Sequence, residues 1–536
     1  MRKTRTTRAA ARSLAAVTAA GMLAAVLAGC STAKSESVHL SDLKNPSNAV
    51  VSMPPDSVDN AVKQLPELIA TVMKKTHVPG LAVSVVHGDK TIFANGYGVR
   101  EIGKHGKVDA KTVFRIASVS KPIGASVVAS EVSKGTVTWE TPAAQYLPGF
   151  ALADPRITSH ATIGDFYAMR TGLPHAAGDL NEDIGYDRTY VLNHLAQQPL
   201  APFRDTYAYA NFSITAGAEA TANAAGTDWA TMSENDVYKP LGMTSTSSRN
   251  SDFLAQTDRA TMHAYENGKF QAMYQRDPDP ESPAGGVSSN VVDLAKWMSM
   301  IIGNGTYKGK EVVSPEALTP MITPQQLRGT PPSSSTRAGF YGYGIEVGVQ
   351  PGGRTVLSHS GGFAQGAATN LRILPSAGVG IVVLTNGPPL GIPETLTQQF
   401  MDLVQFGHIT QDWLPGFYKI SNPTNEPEGD LAGKKPPASP APAAELSAYA
   451  GTYQNATYGT LTVSESGGKL MGALGPDGKY TFELDHWNGN DFSFVPTGEN
   501  APLGSLSSAN FAMTGASASG VTLGFFNATK LGTWTR

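Results

Sequence analysis

Between residues 421 and 443 the chain changes character. Pro, Ala, Glu and Lys displace the apolar periodicity found on either side, most densely in Lys434-Lys-Pro-Pro-Ala-Ser-Pro-Ala-Pro442. Such a stretch reads as a linker through which no core can continue. The 536 residues should therefore fold as two units, each burying its own apolar surface. The expected organisation is a larger body over 56–415, a Pro-rich linker over 416–445 and a small all-β unit over 446–536.

The N-terminus carries Arg2, Lys3, Arg5, Arg8 and Arg12 without an acid, then an Ala-rich apolar run from Leu14 to Ala28. A basic n-region before a short h-region is the pattern of a secretory signal, and the run is too short to span a bilayer comfortably. It ends Leu27-Ala28-Gly29-Cys30, which resembles the lipobox of bacterial lipoproteins. That resemblance implies a signal peptide over 1–29, a lipid on Cys30, a tether over 30–55 and a place in the bacterial cell envelope, on the exported side of a membrane. Cys30 is the only cysteine, so no intramolecular disulfide can form. The formal charge of −3 becomes more negative once the five basic residues leave. The lack of clustered Lys and Arg argues against nucleic acid as a partner.

Apolar spacing at Val58, Val62, Leu65, Ile69, Val72 and Met73 predicts an amphipathic helix, with Asp56 as a candidate N-cap. Leu81 to His87 and Thr91 to Ala94, joined at Gly88-Asp89-Lys90, predict a hairpin. The section from about 114 to 300 is mostly helical in pattern. Arg354 to His359, Ala367 to Leu374 and Gly380 to Thr385 then read as sequential antiparallel strands, followed by a helix from Pro393 to Phe406. Together these predict an α+β domain: an antiparallel sheet built from both ends of the body, flanked by helices, with a helical subdomain inserted. In the C-terminal unit, Trp487 and its aromatic neighbours are expected in a barrel core.

The chemistry lies in Phe114-Arg-Ile-Ala-Ser118-Val-Ser-Lys121-Pro122, which opens a helical pattern ending at Gly135. An i,i+3 spacing places Ser118 and Lys121 on one helix face, and a helix start offers N–H donors and partial positive charge to an oxyanion. Ser-x-x-Lys also occurs at Ser31/Lys34, Ser41/Lys44 and Ser466/Lys469, so the spacing alone does not single out Ser118. Two further motifs do. Tyr209-Ala-Asn211 supplies a phenol able to move protons and an amide able to orient a substrate; His359-Ser360-Gly361-Gly362 supplies a strand whose glycines allow close backbone approach.

In that order these motifs resemble the serine β-lactamase and penicillin-binding protein superfamily, in its class C-like branch. Val78-Pro-Gly80, Met169-Arg-Thr-Gly-Leu-Pro174, and Pro283-Ala-Gly-Gly286 ahead of Asp293-Leu-Ala-Lys-Trp297 agree with it. The resemblance covers roughly 56 to 410, and the tail is similar to the lipocalin-like domains appended to such enzymes. It implies acylation of Ser118 with Lys121 and Tyr209 as base, an oxyanion hole from the amides of Ser118 and Gly362, and hydrolysis by water with no metal or cofactor. A small molecule or peptide is the substrate implied. Zincin His-Glu-x-x-His and the Gly-x-Ser-x-Gly elbow are both absent from the sequence.

One position departs from the pattern. Class C β-lactamases carry Lys-Thr-Gly on the strand, and here the first residue is His359. A histidine is mostly neutral at neutral pH, so recognition of a substrate carboxylate should be weaker. Esterase or D-amino-acid and cell-wall peptidase activity is accordingly expected above efficient β-lactam hydrolysis. The alternative is a non-catalytic or weakly active lipoprotein that binds penicillin or cell-wall peptides.

Overall fold

The computed structural model describes residues 50–272 and 276–536. The signal, lipobox, Cys30 and nearly all of the tether lie outside the described residues. Numbering only the larger helices and the strands of the two main sheets, the body opens with α1 (Ser57–Thr76) and the hairpin β1 (Gly80–His87) and β2 (Lys90–Gly98). It continues through α2 (Ser120–Lys134), α3 (Asn211–Ala224) and α4 (Val291–Ile302). Six strands and a helix complete it: β3 (Gln326–Leu327), β4 (Phe340–Tyr341), β5 (Glu346–Val349), β6 (Thr355–Phe363), β7 (Ala367–Leu374), β8 (Val379–Thr385) and α5 (Ile392–Phe406). The eight strands form one sheet in the order β2-β1-β8-β7-β6-β5-β4-β3. The N-terminal hairpin thus pairs with the last strand, Leu81 opposite Thr385 and Val85 opposite Ile381.

This sheet is covered on both faces. Leu81, Val83 and Val85 of β1 join the core made with α1 and α5, whereas Ala82 and Val86 join the core containing α2 and α4. Strand alternation explains the split, because successive side chains point to opposite faces. Between them, Ser84 donates from its hydroxyl to the carbonyl of Val291 at 2.7 Å, anchoring the start of α4. The amphipathic spacing of α1 appears as buried Val58, Ala61, Leu65, Ile69 and Val72. Asp56 does not cap it: its backbone is left-handed (φ 53°) and its side chain makes no capping bond. The helix instead closes at its far end, where the His77 N–H donates to the Met73 carbonyl.

The C-terminal unit is a closed barrel of eight antiparallel strands in sequential order: β9 (Gly451–Asn455), β10 (Gly459–Ser466), β11 (Lys469–Leu474), β12 (Tyr480–Asn488), β13 (Asp491–Phe494), β14 (Ser507–Thr514), β15 (Ser517–Leu523) and β16 (Thr533–Thr535). Closure removes the exposed edges that a ninety-residue sheet would otherwise present. Tyr449, Tyr453, Phe492, Phe511 and Trp534 fill its interior. Trp487 is not among them. It lies half-buried where the β12–β13 register slips between His486 and Asn488, and a bulge turns a side chain out of the alternation that would have buried it.

The Pro-rich stretch is not a free spacer. After a short helix, Leu414–Ser421, it runs along the barrel, where the Asp430 carboxylate accepts from Ser507 Oγ (2.6 Å), Ser508 N (2.9 Å) and Ser508 Oγ (2.6 Å). The barrel in turn docks on residues 181–190 of the body. Asn181 Nδ2 donates to Thr457 O at 2.8 Å, Tyr186 OH to Tyr458 O at 3.2 Å, and Ile184 inserts into the barrel core.

Candidate active site

Ser118 lies in a single 3₁₀ turn, Ala117–Val119, that feeds directly into α2. The turn is held from three sides. Ser120 Oγ donates to Ala117 O (2.6 Å) and accepts from Val287 N (3.0 Å), while Thr369 Oγ1 of β7 donates to Ile116 O (2.8 Å). Ala117 is buried with φ 46°, a left-handed conformation that a non-glycine residue keeps only where its surroundings enforce it. The kinked approach leaves Ser118 half-buried at the head of an otherwise buried helix.

Three side chains predicted from sequence converge there. Lys121 Nζ donates to Ser118 Oγ at 2.9 Å, and Tyr209 OH donates to the same oxygen at 2.7 Å. Asn211 opens α3 and presents its amide oxygen to Lys121 Nζ at 2.7 Å; its Nδ2 donates to Asp179 Oδ2 at 3.2 Å. Its amide is thus committed largely to the lysine and to Asp179, leaving one N–H for a substrate. A third acceptor for Lys121 is the Ala284 carbonyl at 2.9 Å, within the Pro283-Ala-Gly-Gly286 motif. The ammonium also lies 4.6 Å from the centre of the Tyr209 ring.

Burial decides the proton affinities. Lys121 is fully buried, and loss of solvent lowers its pKa to about 8 against the opposing charges of Glu281 and Asp179. Tyr209 moves the other way: burial holds its phenol well above 10 despite the bond to Ser118. Asp179 is raised to about 8, by burial first and then by Glu281. His359 is lowered to about 4 by burial and is therefore neutral across the physiological range. Its Nε2 lies 2.9 Å from Tyr341 OH.

The His359-Ser360-Gly361-Gly362 run occupies the end of β6. Pairing with β5 stops at Glu346 opposite Ser358, while pairing with β7 continues to Phe363 opposite Ala367. Residues 359–363 consequently have no strand partner on their β5 side. Asn370 of β7 buttresses them, donating to His359 O (3.3 Å) and Ser360 Oγ (3.0 Å).

Of the other Ser-x-x-Lys matches, Ser31/Lys34 and Ser41/Lys44 lie outside the described residues. Ser466 and Lys469 face each other across the β10–β11 hairpin, and Lys469 pairs with Glu483 on the barrel surface. Sequence reasoning missed Asp179, Glu281, Arg276 and Tyr341. Nothing in their local sequence marks them, because their importance arises from tertiary burial beside Lys121 and His359. The Ala284 carbonyl was within reach of the sequence, since it lies in the Pro283-Ala-Gly-Gly286 motif.

Comparison with known proteins points to one family. The Beta-lactamase family matches residues 65–403, and a domain of unknown function, DUF3471, matches 435–523. Among curated relatives, an unguisins hydrolase of Aspergillus campestris is 26% identical over 63% of this chain and 64% of its own length. Penicillin-binding protein 4 of Amycolatopsis lactamdurans is 27% identical over 70% of this chain and 93% of its own. The D-alanyl-D-alanine-carboxypeptidase/endopeptidase AmpH of Escherichia coli is 23% identical over 61% and 84%. Thus the chain spans a little under two thirds of the first relative and more of the other two.

Among solved structures, the octameric penicillin-binding protein homologue from Pyrococcus abyssi aligns with a TM-score of 0.57 at 18% identity, covering 89% of this chain and all of that one. A class C beta-lactamase from Rhodobacter sphaeroides aligns at 0.51 with 21% identity, over 65% of this chain and 98% of that one. Both share the fold. With its family match running through the Ser118 turn, α3 and β6, the chain belongs to the beta-lactamase family of serine hydrolases.

Proposed function

We propose that this protein hydrolyses an ester or amide of a small molecule or peptide through an acyl-enzyme on Ser118. The observation that carries the reading is the convergence of Lys121 Nζ at 2.9 Å and Tyr209 OH at 2.7 Å on one serine oxygen. With a pKa of about 8, roughly a tenth of Lys121 is neutral at pH 7. That fraction accepts the Ser118 proton as Oγ attacks the substrate carbonyl. Tyr209, protonated at rest, then donates to the leaving group and is reprotonated from Lys121. The assignment thus moves the base role toward Lys121 and gives Tyr209 the acid role. The amides of Ser118 and Gly362 serve the oxyanion, and water completes the cycle by releasing the acyl group.

Neutral His359 favours substrates without an obligatory carboxylate clamp at that position. Esters therefore rank above β-lactams; D-amino-acid or cell-wall peptides are ranked with them on separate support, a relative named as a D-alanyl-D-alanine-carboxypeptidase/endopeptidase. The N-terminal pattern supports export and lipid anchoring through Cys30 at the bacterial cell envelope. Among the described residues no helix is long and apolar enough to cross a membrane. The test is a kinetic comparison of nitrocefin, a short-chain p-nitrophenyl ester and a D-Ala-D-Ala peptide, with Ser118→Ala as control. Faster turnover of the ester or peptide is expected; nitrocefin far ahead of both overturns the ranking.

A further inference from the structure

Beside the hydrolytic site lies a buried ionic cluster that the mechanism above does not use, and one member belongs to the barrel. Arg276 pairs with Glu182 (3.0 Å), Glu281 (2.8 Å) and Glu499 (3.5 Å), the last from the loop between β13 and β14. The side chains of Arg276 and Glu499 are only 10% and 13% exposed, so their interaction is poorly screened by water. The same Glu499 accepts from Ala364 N at 2.5 Å through its other oxygen. Ala364 immediately follows β6, the strand that carries Gly361 and Gly362.

A short route leads from this cluster to Lys121. Glu281 opens a tight turn, its carbonyl accepting from Ala284 N (2.7 Å) and Gly285 N (2.9 Å), and the Ala284 carbonyl holds Lys121 Nζ. The Glu281 carboxylate folds back over this turn so closely that a Cβ on Gly285 would stand 2.5 Å from its Oε1. Arg276 therefore clamps the turn that positions the lysine, and its guanidinium also lies 4.5 Å from the Phe363 ring at the end of β6. The Glu499 loop is itself fixed to the body: Asp183 accepts from Glu499 N (3.1 Å), Asn500 N (3.1 Å) and Asn500 Nδ2 (2.8 Å).

We propose that Glu499, contributed by the barrel, is a positioning residue of the hydrolytic site: it holds Arg276 against the Glu281 turn that places Lys121, and it pins the end of the strand beside the nucleophile. The barrel is then part of the enzyme's working site, not an appended module. This rests on the reading of Ser118 and Lys121 as nucleophile and base. Electrostatics adds a consequence. The charges acting on Lys121 are Glu281, Asp179 and Arg276, those acting on Glu499 are Arg276 and Asp183, and Glu182 completes the cluster around Arg276. Tyr209 and His359, both neutral, also border the lysine. Burial raises the Glu499 pKa to about 7, so it is largely ionised at the higher pH where Lys121 titrates, near 8; removing that charge leaves Arg276 less compensated, which disfavours the Lys121 ammonium and lowers its pKa further.

Three variants of the full chain test this. Glu499→Gln keeps an acceptor for Ala364 N while losing the charge, Glu499→Ala loses both, and Asn500→Ala weakens the same loop without touching Arg276. For Glu499→Ala, kcat on the best ester should fall roughly tenfold or more, with a much smaller change in KM. For Glu499→Gln, the acid limb of the kcat/KM profile should move to lower pH. Asn500→Ala, which loosens the loop but leaves Glu499 itself in place, should lower the melting temperature and change kcat and the acid limb less than Glu499→Ala does. If both Glu499 variants lower the melting temperature alone, leaving kcat and the limb at wild-type values, the contact is merely structural and the proposal is overturned. Should Glu499→Ala fail to fold, the near-isosteric Gln variant decides by its pH limb. A folded wild type that a fluorophosphonate does not label at Ser118 would instead remove the underlying reading, which separates the two failures.

Discussion

Gly361 of β6 lies directly against the backbone of Ser118: a Cβ at this glycine would stand 2.9 Å from Ser118 N and 2.5 Å from Ile116 O. The contact brings the strand and the Ser118 turn closer than any other residue type permits. Gly361→Ala must push them apart. A displacement of that order misaligns nucleophile and oxyanion donors, so kcat/KM should fall by about 10²-fold. Circular dichroism and melting curves beside ester kinetics check this; full activity in the alanine variant would show that the strand does not set the site.

Lys121 provides the pH dependence. As the proposed base Lys121 acts in its neutral form, and burial lowers its pKa to about 8. Activity should therefore rise with pH through an apparent pKa near that value. A profile of kcat/KM between pH 5 and 10 measures it. A limb centred near the ordinary lysine value would mean that the buried environment does not act on Lys121.

For Tyr209, the Phe variant removes the hydroxyl that donates to Ser118 Oγ at 2.7 Å and preserves the ring beneath the Lys121 ammonium. Loss of the proposed general acid should reduce kcat by about 10²- to 10⁴-fold, with the fold unchanged by circular dichroism. Retention of near-wild-type kcat would reassign the proton donor.

The sheet and its covering helices were legible because periodicity survives wherever one element faces one core. Strand β7 matches its sequence range at both ends, and α5 begins one residue before the expected Pro393. Other features were illegible for physical reasons. Asp56 has the right side chain for a cap, but its left-handed backbone turns the carboxylate away from that role. Trp487 has the right composition for a core residue, yet a one-residue bulge moves it outward. The Lys121 constellation was readable as ordered motifs, whereas Arg276 and Glu499, separated by more than two hundred residues and joined only by the docking of the barrel, carry no local signal.

His359 links the site to stability. Burial depresses its pKa from 6.5 to about 4, so between those values the unfolded chain binds a proton that the folded chain does not. Stability from this group is complete above about 6.5 and is lost as pH falls toward 4, by about 3 kcal/mol in all. Urea melts of wild type and His359→Gln at pH 7 and pH 4.5 test it. The variant should show the shallower loss on acidification; equal slopes would place the histidine in a solvated setting.

The barrel docking has its own signature at Gly498. Its φ is +126°, and a Cβ there would stand 2.7 Å from the Asp183 carboxyl carbon. Gly498→Ala should cost about 1–3 kcal/mol through backbone strain and loss of this approach. Melting temperature reads the cost directly, and an unchanged value would argue against a tightly held loop.

Ser118 as the nucleophile is tested most directly by intact-protein and peptide mass spectrometry after treatment with a fluorophosphonate. One adduct is expected, on the peptide carrying Ser118, and none in Ser118→Ala. A folded wild type that forms no adduct, or one that carries it on another serine while Ser118→Ala still labels, would contradict the account.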